Sequence, residues 1–140
     1  MSAASIFVDS SAFYALADRH DASHRIATER WQALVKTKRP LVTSLAVAAE
    51  TATLIRRSIG FDAVQAWLDQ LDRARLVGAM KLVFPSEREY ALARNLFHQL
   101  AHPKLSFVDA LSFSIMSLGD IKICLGFDED FLVAGFELYE

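Results

Sequence analysis

Ile6-Phe7-Val8-Asp9-Ser10-Ser11-Ala12-Phe13-Tyr14-Ala15-Leu16 is the stretch on which the reading of this chain turns. Three apolar residues make a strand-length run. An acid stops it, two hydroxyl residues follow, and the apolar density then continues from Ala12 to Ala17 in a segment suited to a helix. A carboxylate at that junction is in place to cap a helix beginning at Ser10 or Ser11. The same junction is a strand's carboxyl end, the edge at which open α/β sheets bind their ligands.

The same alternation continues outward. Leu41-Val-Thr43 follows Pro40, Lys81-Leu-Val-Phe84 is stopped by Pro85, Ile121-Lys-Ile-Cys-Leu125 follows Gly119, and Phe136-Glu-Leu-Tyr139 closes the chain. Helical patterns lie between them. Ala27, Trp31, Leu34 and Val35 share one face of a helix over 24–36, Ser44 to Arg57 is Ala- and Leu-rich, and Phe61, Val64, Leu68 and Leu71 form the next stripe. Ser86 with Glu89, and Ser106 with Asp109, read as capping boxes that open two more helices, the first ending before Pro103 and the second at Gly119. Two helices thus separate each successive pair of the first four strands. Strands joined by helical crossovers form a parallel sheet covered on both faces. The expected fold is α/β, a three-layer sandwich with a central, mainly parallel sheet flanked by helices.

The chain has 140 residues, 53% hydrophobic and 23% charged, with 5 Gly and 3 Pro. That is globular composition, and the length suits one domain over 1–140 that buries roughly 70% of its unfolded surface. The lone Cys124 excludes an intramolecular disulfide framework and a Cys-rich zinc site. Mean hydropathy is +0.23, yet the longest apolar run, Ala12–Ala17, is six residues against about 20 for a bilayer span. The expected setting is the cytoplasm, with no membrane partner, and the excess apolar content points to a surface covered by another protein. A net charge of -2 argues against bulk electrostatic binding of nucleic acid, but not against a site that handles phosphates through bound cations.

Four acids stand in apolar company: Asp9, Glu50 within Leu45–Ala52, Asp109 within Leu105–Leu111, and Asp128 after Leu125-Gly-Phe127. Each has a plain structural reading: a helix cap, a helix residue paired with Arg57, a capping-box acid, a turn residue. Asp9 and Asp128 follow strands, Asp109 falls in a first helical turn, and Glu50 in a second. All four therefore converge on one edge of the sheet from positions 41, 59 and 19 apart. Two carboxylates 5 Å apart repel by roughly 3 kcal/mol at an effective dielectric near 20, so such a cluster calls for protons or a cation. All-oxygen donors suit hard ions, Mg²⁺ or Mn²⁺. Such an ion binds a phosphodiester oxygen, acidifies an attacking water and stabilises the leaving oxygen.

At these residues the chain resembles the PIN-domain ribonucleases, and within them the VapC-type toxins of toxin–antitoxin pairs. Phe7-Val-Asp-Ser-Ser-Ala-Phe-Tyr-Ala-Leu16 is similar to the family's first motif, with Asp9 as its acid and Ser11 as the small hydroxyl residue. Thr43–Glu50, Leu105–Phe113 and Phe127-Asp128 followed by Phe131 are similar to the second, third and fourth. The resemblance implies a PIN fold over the whole chain and a Mg²⁺- or Mn²⁺-dependent endoribonuclease. It implies Asp9, Glu50, Asp109 and Asp128 as metal-binding and catalytic residues, with Ser11 orienting a carboxylate or water. It also implies an RNA substrate, a homodimer and a cognate antitoxin. Gly126 stands where the family often has Thr or Ser, which leaves Asp128 and Asp130 as alternatives for the fourth acid. A PIN nuclease of RNA processing or DNA repair, and a non-catalytic partner-binding module, are the other readings.

The remaining candidates are structural by default. His20/His24 and His98/His102 have i, i+4 spacing but no nearby third zinc ligand. Ser10 and Ser11 lack a nucleophile elbow. Trp31 and Trp67 sit on apolar stripes. Lys36, Lys38, Arg39, Arg56, Arg57, Arg73 and Arg75 are solvated faces or contacts to RNA phosphates.

Overall fold

The computed structural model describes residues 4–140. Its elements run β1 (Ile6–Val8), α1 (Ser10–Ala17), α2 (His24–Lys36), β2 (Leu41–Ser44), α3 (Leu45–Ser58), α4 (Phe61–Leu76), β3 (Met80–Val83), α5 (Glu87–Leu100), α6 (Phe107–Leu118), β4 (Ile123–Leu125), α7 (Asp130–Val133) and β5 (Glu137–Leu138). The strands form one sheet in the order β3-β2-β1-β4-β5, and every pairing is parallel. The expected α/β architecture is therefore present, with a sheet that is wholly parallel.

Central placement explains the composition of β1. Ile6, Phe7 and Val8 are all fully buried, as a strand covered on both faces requires. Thr43 in β2 is buried too, and its hydroxyl donates to the Val8 carbonyl at 2.9 Å, so the polar group satisfies itself while tying two strands together. Ser44 ends β2 and caps α3, accepting from the Val47 amide at 3.1 Å. Beyond β4, Phe131 fills the core and meets Phe113 edge to face, with ring centroids 4.9 Å apart.

Three expectations shift at their edges. Val35 and Phe61 were read as core-facing, yet both are exposed, and Arg56 lies over the Phe61 ring. Phe84 falls outside β3 and is exposed beneath Arg75. Ile121 precedes β4 but is buried all the same. Apolar periodicity ranks faces within a helix; it does not say how much of the stripe a neighbouring layer covers.

The strand order creates a switch point. From β1 the chain steps outward through β2 to β3, then crosses back to lay β4 on the other side of β1. The connections leaving β1 and β4 therefore diverge and open a crevice at the carboxyl ends of these two strands. The Asp9 amide, at the end of β1, donates to the Leu125 carbonyl at the end of β4 at 3.0 Å. That bond holds the floor of the crevice closed.

Candidate active site

The crevice is a cavity of about 400 Å³. Asp9, Ser11, Glu50, Asp109 and Asp128, the five residues expected from sequence, all line it.

Asp9 is the best defined. It is the N-cap of α1, and its Oδ2 accepts from the Ser11 hydroxyl at 2.8 Å and from the Ser11 amide at 3.4 Å. Its other oxygen, Oδ1, is buried and has no hydrogen-bond partner among the described residues. The capping reading thus holds through Oδ2, and Oδ1 is left without a partner. Burial pushes the Asp9 carboxyl from its ordinary 3.8 up to about 6, against the bonds from Ser11 and the backbone and with some help from the charge of Asp128.

Asp109 likewise caps a helix and lines the cavity. It is the N3 residue of the α6 capping box: Ser106 Oγ accepts from the Asp109 amide at 3.0 Å, and Asp109 Oδ2 accepts from the Ser106 amide at 3.3 Å. Burial, then the neighbouring charges of Asp128 and Asp9, lift its carboxyl to about 7. Glu50 is half-buried in the second turn of α3 and accepts from the Ser10 hydroxyl at 2.8 Å. That bond joins the start of α1 to α3, and Arg57 has no part in it. Asp128 Oδ1 accepts from the Asp130 amide at 2.9 Å.

Asp109, Asp128 and Asp130 each bring a carboxylate oxygen within 4.8 Å of the others. This is near the span of about 4 Å between opposite oxygens of an octahedral Mg²⁺ shell. Asp9 and Glu50 line the same cavity but stand outside this tightest group. Asp128 and Asp130, alternatives by sequence, are both in it. An unsatisfied buried carboxylate oxygen, several acids around one cavity and two carboxyls pushed toward neutrality make a donor set suited to a hard divalent cation.

Gly126 has a local reason. A Cβ at that position would stand 3.0 Å from Ser11 Oγ and 3.1 Å from Asp9 Cβ. Its absence lets the loop after β4 descend onto Ser11, whose hydroxyl accepts from the Phe127 amide at 2.9 Å. Ser11 Oγ therefore couples the first acid to the backbone just ahead of the fourth.

Sequence reasoning missed several residues of this neighbourhood. Ser10 was weighed only as a nucleophile; its task is to hold Glu50. Lys104 lines the cavity, whereas the basic residues at 36–39, 56–57 and 73–75 do not. Phe127 lines it with Arg30 of α2 over its ring, 5.5 Å from the centroid. Nothing local in the sequence marks Arg30, which lies 97 positions from Phe127. The histidines are not zinc ligands as paired: His24 Nδ1 lies 2.7 Å from the Ala15 carbonyl, and among the described residues no histidine joins a metal-capable group. Trp67 packs edge to face on Phe13, with ring centroids 5.2 Å apart.

The comparison with known families agrees with this geometry, for residues 6–137 match the PIN domain model. The chain belongs to the PIN-domain family. Within the PIN proteins, it is 36% identical over 132 residues to the 23S rRNA-specific endonuclease VapC20 of two Mycobacterium tuberculosis strains, covering 94% of this chain and 95% of the relative. It is thus a homologue of VapC-type ribonuclease toxins. The crystal structure of M. tuberculosis VapC20, a toxin that cleaves the sarcin–ricin loop, superposes with a TM-score of 0.74 at 32% identity over 94% of this chain and 95% of that one. FitAcB from Neisseria gonorrhoeae shares the PIN fold at a TM-score of 0.62 and 13% identity, covering 96% of each chain. Among the described residues, no helix is long and apolar enough to cross a membrane.

Proposed function

We propose that this PIN domain is a divalent-metal-dependent endoribonuclease and the toxin of a type II toxin–antitoxin pair, acting in the cytoplasm. The observation that carries the reading is Asp9, which has a buried carboxylate oxygen without a protein partner and lines a cavity with four more acids, Asp21, Glu50, Asp109 and Asp128. Asp9, Glu50, Asp109 and Asp128 would hold Mg²⁺ or Mn²⁺, with Asp130 beside them. When bound, the cation neutralises charge on the phosphodiester and lowers the pKa of an attacking water. The protein's own part is orientation. Ser11 fixes Asp9, Ser10 fixes Glu50, and the Ser106 backbone fixes Asp109, so the donors are organised before substrate arrives.

The kinship with a 23S rRNA endonuclease makes a ribosomal RNA hairpin the first substrate to try. Purified protein with Mn²⁺ is expected to cut it, and a chelator or Asp9→Asn is expected to stop the reaction. Cleavage by Asp9→Asn at the wild-type rate would refute the assignment. The antitoxin is tested by growth: arrest on expression, relieved by a co-expressed neighbouring gene. Two apolar features support protein partners. One is a cavity of about 430 Å³ bounded by Phe13, Trp31 and Trp67, for the antitoxin. The other is the exposed pair Leu76 and Val77 at the end of α4, for a second copy. A monomer at all concentrations in sedimentation would remove the homodimer.

A further inference from the structure

We infer that Arg30, held against the ring of Phe127, and Lys104 grip the RNA phosphates on either side of the one being cut. The inference rests on the ribonuclease reading above and adds the residues that hold the strand.

Five carboxylates, Asp9, Asp21, Glu50, Asp109 and Asp128, line one cavity and repel a polyanion. A single divalent cation cancels less than half of their formal charge, and further positive charges are needed nearby before a second and third phosphate can approach. Lys104 supplies one. It is exposed, lines the acid cavity, and makes no ion pair among the described residues. Arg30 supplies another. It is half-buried, and it too has no carboxylate partner among the described residues, although its neighbour Glu29 pairs with Arg25.

The way Arg30 is held favours phosphate. The Arg30 guanidinium carbon lies over the Phe127 ring, 5.5 Å from its centroid, and a ring makes no hydrogen-bond claim on the guanidinium, whose N–H fork matches a bidentate anion. The ring itself is located by the site. The Phe127 amide donates to Ser11 Oγ at 2.9 Å, and the same hydroxyl donates to Asp9 at 2.8 Å. Arg30 is thereby referenced to the first acid through one aromatic ring and one hydroxyl. Phe127 is a positioning residue that acts through Arg30.

The test pairs two readouts on the full chain, using a fluorescein-labelled ribosomal RNA hairpin. One is cleavage kinetics with Mn²⁺. The other is binding by anisotropy across a salt series, in chelator. Arg30→Gln and Lys104→Gln are each expected to raise KM about 10-fold with kcat unchanged, as loss of uniform binding does. Each should flatten the salt dependence of binding by about 0.7 to 0.9 in log–log slope, the share of one phosphate contact. Mn²⁺ binding by calorimetry and the melting temperature should match wild type. Phe127→Leu is expected to raise KM several-fold, and Phe127→Leu combined with Arg30→Gln should be no worse than Arg30→Gln alone. Unchanged KM and salt slope in both charge variants, a fall in kcat with KM intact, or additive losses in the double variant would each overturn the inference. A wild type that binds the hairpin with the expected salt slopes but never cuts it removes the nuclease reading and leaves the two cations standing.

Discussion

Asp9→Asn has a consequence for stability opposite in sign to its consequence for activity. In the folded chain the Asp9 carboxyl titrates at about 6, against 3.8 ordinarily. The raised value means that the folded state binds the proton more tightly than the unfolded state does. Well below pH 3.8 both states are protonated and the group contributes nothing to the balance. As pH rises through the window between 3.8 and about 6, the folded state loses stability. Above it, the ionised carboxylate costs the metal-free fold on the order of 3 kcal/mol, at 1.36 kcal/mol per pKa unit. Asn keeps an oxygen to accept the Ser11 bonds and carries no charge to desolvate. In chelator at pH 8, Asp9→Asn should therefore be more stable than wild type by up to about 3 kcal/mol, or roughly 10 °C in melting temperature. The difference should shrink to under about 1 kcal/mol near pH 4. Saturating Mn²⁺ should close the gap from the other side, since a cation at about 100 times its Kd adds about 2.7 kcal/mol to the form that binds it. Urea denaturation at the two pH values, with and without Mn²⁺, measures all four quantities. An Asn variant less stable than wild type in chelator at pH 8 would show that Asp9 is a structural cap first and a strained acid not at all.

Other perturbations follow from the same contacts. Cleavage should rise from about pH 5 to 8, because Asp9 near 6 and Asp109 near 7 must release protons to hold a cation; the rise should move to lower pH as Mn²⁺ increases, and a profile indifferent to Mn²⁺ counts against the shared site. Gly126→Ala puts a methyl 3.0 Å from Ser11 Oγ, which should push the loop off Ser11, break the 2.9 Å bond to the Phe127 amide and cut activity at least 10-fold; wild-type kcat/KM in this variant contradicts the coupling. Phe131→Ala empties a fully buried position against Phe113 and should cost about 3–5 kcal/mol, read as a drop in urea midpoint, and a loss under about 1 kcal/mol would mean that α7 is not anchored by this ring.

The local grammar of the fold was written in the residues. The first strand-length apolar run ended at Asp9 and the third at Pro85, Ser106 with Asp109 announced a capping box that forms as read, and four carboxylates stood where apolar neighbours made them conspicuous. The resemblance to PIN ribonucleases named the family, and the PIN domain match and the kinship with VapC-type toxins agree with it. These signals are short-range: periodicity, capping and turn chemistry act over a few residues and survive without knowledge of the rest.

Tertiary structure alone decided the order β3-β2-β1-β4-β5, which puts Asp9 and Asp128 on neighbouring strand ends. It brought Asp130 into the tightest acid group, paired Ser10 with Glu50 across 40 positions, and gave one oxygen of Asp9 to the helix cap while burying the other without a partner. It also laid Arg30 over Phe127. None of these could be legible along the chain, because each joins groups whose meeting depends on which apolar faces are buried together. Burial is non-directional and is settled by the packing of all layers at once.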